Sequence, residues 1–332
     1  MAGRALAFAD ATLIRFARES FIPVAGDDWY ERRRDDDEGQ FFRQVADQGP
    51  RKGEGGSTRQ GIYIFSAGGK LLAYRNHQDP AVVLKLLHQG LDEFRNLPAD
   101  QRVPGAVRVD EPTRVDPTYA REPPKGGLVV NVFTRILDRS GAADFCRGTC
   151  PVAGGDKSAR DRLWLTADDC KALIPDSARV GDELPVAPRL VYRIARFHLV
   201  DNTRGEPPFW DRDAVRRHDM KLRVTTVNGD GIALQLTGAI LVATAADLDR
   251  ADRGFDARLT GYLHYDSRKK RIDRFDLVAV GDHWGEGRYN PNARPGKTPL
   301  GVAFELAQGD LPADRVPPQG ARTLSEYMRA ER

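Results

Sequence analysis

Residues 58–94 read TRQGIYIFSAGGKLLAYRNHQDPAVVLKLLHQGLDEF, and this stretch predicts a hairpin followed by a helix. Gly61-Ile62-Tyr63-Ile64-Phe65 is a β-branched and aromatic run, Ala67-Gly68-Gly69 supplies turn residues, and Lys70-Leu71-Leu72-Ala73-Tyr74 returns antiparallel. Asp79 is placed to cap a helix with Pro80 at its first position. Val83, Leu84, Leu87, Leu91 and Phe94 then share one apolar stripe. Two strands and one helix leave a face uncovered, so other segments must close this half-domain.

Working outward, Asp10 caps a predicted short helix in which Leu13, Phe16 and Ala17 share a face, and Phe21 to Ala25 is expected as a strand despite Pro23. A helix around Gln40 to Asp47 turns Phe41, Phe42 and Val45 inward, and the preceding Arg32 to Glu38 block reads as a solvated helix start. Residues 48–60 form a Gly-rich basic loop with a helix before it and a strand after it, the reverse of a phosphate-cradling loop.

The order helix, strand, helix, strand, strand, helix over residues 5–96, with the QGIYIF and GKLLAY strands, resembles the later part of the thioredoxin-like fold. The resemblance implies a redox-inactive module. No cysteine stands near Arg4 to Asp10, where the Cys-x-x-Cys would fall, and Arg59, Gln60 and Gly61 occupy the place of the cis-proline. It also implies that Phe21 to Ala25 runs antiparallel to residues 61–65, bringing Asp27, Asp28, Trp29, Thr58, Arg59 and Gln60 to one sheet edge as candidate binding residues. The alternative is structural: Arg59 pairs with an aspartate and Trp29 covers the core.

The chain has 332 residues, 40% of them apolar, which is enough for two domains with separate cores. Lys plus Arg number 51 against 48 Asp plus Glu, for a net charge of +3 with the signs interleaved. That pattern argues against a nucleic-acid partner, which calls for concentrated positive charge. No apolar run is long enough for a helical membrane span. Three cysteines make no disulfide framework, so a reducing, cytoplasmic setting is the default expectation.

Residues 98–127, rich in Pro and Gly, are expected to link an N-terminal domain at 1–97 to a second domain at 128–308, with a polar tail at 309–332. In the second domain Leu128 to Phe133, Leu190 to Val200, Lys221 to Val227, Ile232 to Leu241, Arg258 to Tyr265, Ile272 to Ala279 and Val302 to Leu306 read as strands. Asn228 to Gly231 is a hairpin turn, Asp266 to Arg271 an exposed, solvated one, and Thr166 to Asp169 reads as a capping box for a short helix through Leu173. The fold class is therefore α+β: a thioredoxin-like α/β domain joined to an antiparallel barrel or sandwich.

Cys146 and Cys150 could hold copper or zinc or form a redox pair. His198, Arg204, Trp210, His264, Asp266, His283 and Trp284 could gather at the mouth of the β domain, as a binding surface or as a hydrolase site. The leading expectation is a non-catalytic binding or scaffold protein, with a metal or thiol-redox protein as the rival. The sequence names no cofactor.

Overall fold

The computed structural model describes residues 8, 10–53, 57–103, 107–108, 113–137, 158–308 and 312–332. The chain divides into two compact units, Arg4–Glu122 and Pro123–Arg332.

In the first unit, α1 (Ala11–Ser20), α2 (Asp28–Glu31) and α3 (Asp37–Ala46) precede the hairpin of β1 (Ile62–Phe65) and β2 (Leu71–Arg75), and α4 (Pro80–Arg95) follows. The caps are those expected: Asp10 accepts from the Leu13 N–H at 2.9 Å, and Asp79 accepts from Ala81 and Val82. The hairpin lies between helices. One face carries Ile64 and Ala73 into a core with Leu13, Ala17, Val83, Leu86 and Leu87. Helix and strand approach so closely there that a Cβ on Gly90 would come 2.5 Å from Ile64. On the other face Phe41 meets Phe65 at 5.7 Å and Phe42 meets Tyr63 at 5.9 Å, both edge to face.

Three expectations fail in this unit. Phe21 to Ala25 forms no strand, and its Ile22 and Val24 are 92% and 82% exposed. Pro23 withholds one ladder donor, and an apolar run does not by itself recruit a pairing partner. The Arg32 to Glu38 block is not a solvated face. Arg34 holds both oxygens of Asp36, whose side chain is 1% exposed, while Asp36 caps α3 through the Gly39 N–H at 3.0 Å. Beside this pair, burial and then the charge of Glu38 push the Glu31 carboxyl up to about 7. Part of the expected linker is bound into the unit as well: the Asp116 N–H donates to Asp36 at 2.8 Å, the Thr113 N–H to Asp37 at 2.8 Å, and Tyr119 packs on Trp29 at 5.7 Å.

The second unit is one eight-stranded antiparallel sheet folded over a helix. Its strands are β3 (Leu128–Ile136), β4 (Ser158–Leu165), β5 (Glu183–Pro185), β6 (Val215–Val227), β7 (Gly231–Ala243), β8 (Gly254–Asp266), β9 (Arg271–Trp284) and β10 (Thr298–Leu306), in the order β4-β3-β10-β9-β8-β7-β6-β5. Alternate residues such as Leu222 and Val224, Leu234 and Leu236, Phe255 and Ala257, and Val302 and Phe304 line the inner face. The segment 190–200, expected as a strand, is the helix they enclose. Here α7 (Pro188–Arg193) runs into a π turn (Ile194–His198), and every residue from Ile194 to His198 is buried. A helix buried on all sides, with Arg193, Arg196 and His198 enclosed among its apolar residues, loses the 3.6-residue stripe and reads in sequence like a core strand.

Residues 312–332 are no polar tail. Tyr327 and Ala330 are fully buried, and α8 (Leu324–Met328) lies against α7. Arg193, 1% exposed, donates to the Tyr327 and Met328 carbonyls at 3.0 and 3.1 Å, to Trp164 O at 3.0 Å and to Asp169 at 2.7 Å. Arg196 donates to Ala330 O at 2.9 Å and pairs with Glu326. Burial alone would raise Asp169, but Arg193 holds its carboxyl below the ordinary range.

Candidate functional site

In the first unit the six predicted edge residues do converge, and they bind one another. Asp28 accepts from Thr58 Oγ1 and from the Arg59 N–H, each at 3.0 Å, and from Arg32 at 2.9 Å. Arg59, 3% exposed, reaches Asp47 at 2.8 Å and Gly53 O at 2.5 Å. Asp27 caps the Trp29 N–H at 2.8 Å, the Arg33 guanidinium stacks 4.5 Å above Trp29, and Gln60 O accepts from Tyr74 Oη at 2.7 Å. The cluster locks α2 to the entry of β1, which is the structural alternative for Arg59.

In the second unit the predicted histidine site is not assembled. His264 and His283 lie towards opposite ends of the β8–β9 ribbon: His264 is opposite Arg274, whereas His283 is opposite Phe255, nine residues back along β8. That separation is roughly 30 Å along the strands. His264 faces outward and pairs with Asp273 at 2.6 Å. His198 is enclosed with Tyr327 Oη 3.0 Å from Nε2, and Asp161 lies 3.3 Å from Nδ1. Trp210 donates to Leu199 O at 2.8 Å beneath Arg253, whose guanidinium carbon stands 3.8 Å from the ring centre. Trp284 donates to Ala251 O at 2.8 Å. A hydrolase centre built from His264, Asp266 and His283 is thereby ruled out by geometry.

At the His283 end the charges are enclosed and matched. Arg204 donates to Asp201 at 2.7 Å, to Asn290 O and to Pro291 O at 2.8 Å, and Asp201 also accepts from Thr203 Oγ1 at 2.6 Å. Burial keeps His283 neutral by lowering its pKa, against the pull of Asp201. Although burial pushes the Asp201 carboxyl up, the Arg204 charge and the hydrogen bonds from Thr203 and Arg204 hold it below the ordinary range. The space left among Asp201, Arg204, His283 and Arg294 is only about 10 Å³, less than a small ligand requires.

The opposite end of the sheet is open. A groove of about 520 Å³ lies between α6 (Ala167–Ala172) with its following turn and the ends of β3, β7, β8 and β9. Its floor is Leu128, Ile174, Ile232, Tyr265 and Ile272, all continuous with the main core. Thr166 and Asp169 close the capping box that was predicted, fixing α6, and Arg189 and Arg193 hold Asp169 from the other side at 2.6 and 2.7 Å. Cys170 also lines the groove. Burial, with the nearby Asp169 charge, pushes its thiol up to about 11, so it is a neutral part of the wall.

The rim carries Lys171, Lys270 and Arg271 against one carboxylate, Asp176. Asp266, a predicted site residue, shapes this rim rather than facing a ligand. It accepts from the Arg268 and Lys269 N–H groups at 2.9 Å each and from Lys269 Nζ at 2.8 Å, contacts that bring its carboxyl down to about 2. The turn so held places Lys270 at φ +51°, a left-handed conformation that ordinarily selects glycine.

Cys146 and Cys150 lie outside the described residues. Among the described residues no group of three or more His, Cys, Asp or Glu side chains could hold a metal ion, and no helix is long and apolar enough to cross a membrane. Compared with known proteins, the chain matches no family model, no curated protein and no solved structure.

Proposed function

We propose that this is a non-catalytic binding protein whose small-molecule ligand occupies the groove between α6 and the β8–β9 turn. The observation that carries the reading is a half-open apolar floor, about 520 Å³ in volume, at the one end of the sheet where the surrounding charges are not consumed by one another. That volume lies within the range of ligand pockets. A second groove of about 630 Å³ runs along β6 past Pro185, Val191, Tyr192 and Met220. There Lys221 pairs with Glu183 at 2.8 Å, and Tyr192 packs on His218 at 5.0 Å.

For the first unit we propose a scaffold role. Its likeness to thioredoxin-like domains rests on the β1–β2 hairpin and α4 and does not extend to Phe21 to Ala25. Residues 1–122 contain no cysteine, so a thiol-exchange role would need sulfur from elsewhere.

The test is binding of the neutral dye N-phenyl-1-naphthylamine, followed by fluorescence. One saturable site that is lost in Ile174→Asp and in Ile232→Asp, while both variants keep the wild-type circular dichroism, supports the groove. No binding, or binding indifferent to both substitutions, overturns it.

A further inference from the structure

The groove's chemistry identifies a class of ligand. We infer that it takes an amphipathic anion, with an apolar body on Leu128, Ile174, Ile232 and Ile272 and an anionic head between Lys270 and Arg271. This inference rests on the groove being the binding site and adds the character of what binds there.

The first argument is charge. Lys171, Lys270 and Arg271 line the groove, and among the described residues none of them is paired with a carboxylate. The adjoining cations of the same turn are different: Arg268 is bound to Asp230 at 2.6 Å and Lys269 to Asp266 at 2.8 Å. Within one run of four basic residues, the two outside the groove lining are paired with a carboxylate and the two that line it are not. A solvated turn gives no reason for that division, whereas an anion in the groove does.

The second argument is backbone conformation. Lys270 stands at φ +51° in a tight turn, where a glycine would sit without the Cβ penalty. Asp266 and the Ser267 N–H to Asp230 O bond at 3.0 Å hold the turn in that form. The lysine that stands there instead puts an ammonium group at the rim of the groove, a use that offsets the backbone cost.

The third argument is the floor. Four aliphatic side chains, the Tyr265 ring and the neutral thiol of Cys170 offer an anion no charged partner below the rim, so the remainder of the ligand must be largely apolar. A carboxylate, sulfonate or phosphate head on a hydrocarbon or aromatic body fits. A wholly polar anion does not.

The experiment compares 1-anilinonaphthalene-8-sulfonate with N-phenyl-1-naphthylamine, which share their aromatic body and differ in the sulfonate. The wild-type protein is expected to bind the sulfonate roughly tenfold tighter, and Lys270→Glu with Arg271→Glu to abolish that preference while leaving the neutral dye within about twofold. Decanoate should displace the sulfonate dye from the wild-type protein, and inorganic phosphate at the same concentration should not. Equal binding of the two dyes, or a preference that survives the double substitution, overturns the ligand class and leaves the groove standing. Failure of both dyes to bind overturns the groove itself.

Discussion

The two ends of the β8–β9 ribbon make an instructive pair. Each gathers charged residues beside the apolar interior of one sheet. At the end carrying His283, Asp201 and Arg204 satisfy one another and the surrounding backbone, leaving about 10 Å³. At the end carrying Lys270, three cations surround about 520 Å³ with a single carboxylate among them. Buried charge that is matched stabilises a fold, while charge that is exposed, unmatched and set beside apolar space is available to a ligand.

This contrast breaks most readily at Asp201. Its replacement by alanine strands Arg204 inside the protein and should cost about 3–5 kcal/mol in urea unfolding, whereas Lys270→Ala should stay within about 0.5 kcal/mol. Comparable losses at the two sites would erase the distinction between a structural and a ligand-facing cluster.

A smaller effect is expected from pH. Burial lowers the folded-state pKa of His283, so the unfolded chain binds the proton more readily. The neutral ring's contribution is complete above the unfolded value near 6.5 and is lost as pH falls from there through the folded value. His283→Gln should flatten the fall in stability below about pH 6.5, by on the order of 1 kcal/mol. An unchanged slope in denaturant titrations at pH 7.5 and 5 would show that His283 is not held neutral.

The least effect, with the opposite sign, belongs to Lys270→Gly. Relief of the left-handed conformation, partly offset by the entropy a glycine adds to the unfolded chain, should stabilise the domain by about 0.5 kcal/mol, seen as a higher Tm, while weakening the sulfonate dye. A stabler variant that binds the dye undiminished would remove the functional account of the lysine.

What the sequence disclosed follows from the range of the interactions involved. The hairpin at Ile62–Phe65 and Leu71–Arg75, the caps at Asp10, Asp79 and Thr166, and the strands flanking Asn228 to Gly231 are set by neighbours in the chain, and all were legible. Residues 190–200 were misread because a helix buried on every side shows no stripe. Arg34 and Asp36 read as part of a solvated helix start, and the Arg193–Asp169 and Arg204–Asp201 pairs were not foreseen, since nothing local to a charged residue reveals what will cover it. The groove was missed for a similar reason. Leu128, Cys170, Ile232 and Arg271 come from four distant segments, and Asp266 to Arg271 read as an ordinary solvated turn.

The grip of Arg193 and Arg196 on the carbonyls of Tyr327, Met328 and Ala330 bears on the order of events during synthesis. Some 130 residues separate these donors from their acceptors, and until the later ones emerge from the ribosome the two guanidinium groups lack most of the oxygens that let them lie inside the protein. A central helix seated before that point would carry both guanidinium groups short of acceptors, so the C-terminal segment is part of what allows the domain to close.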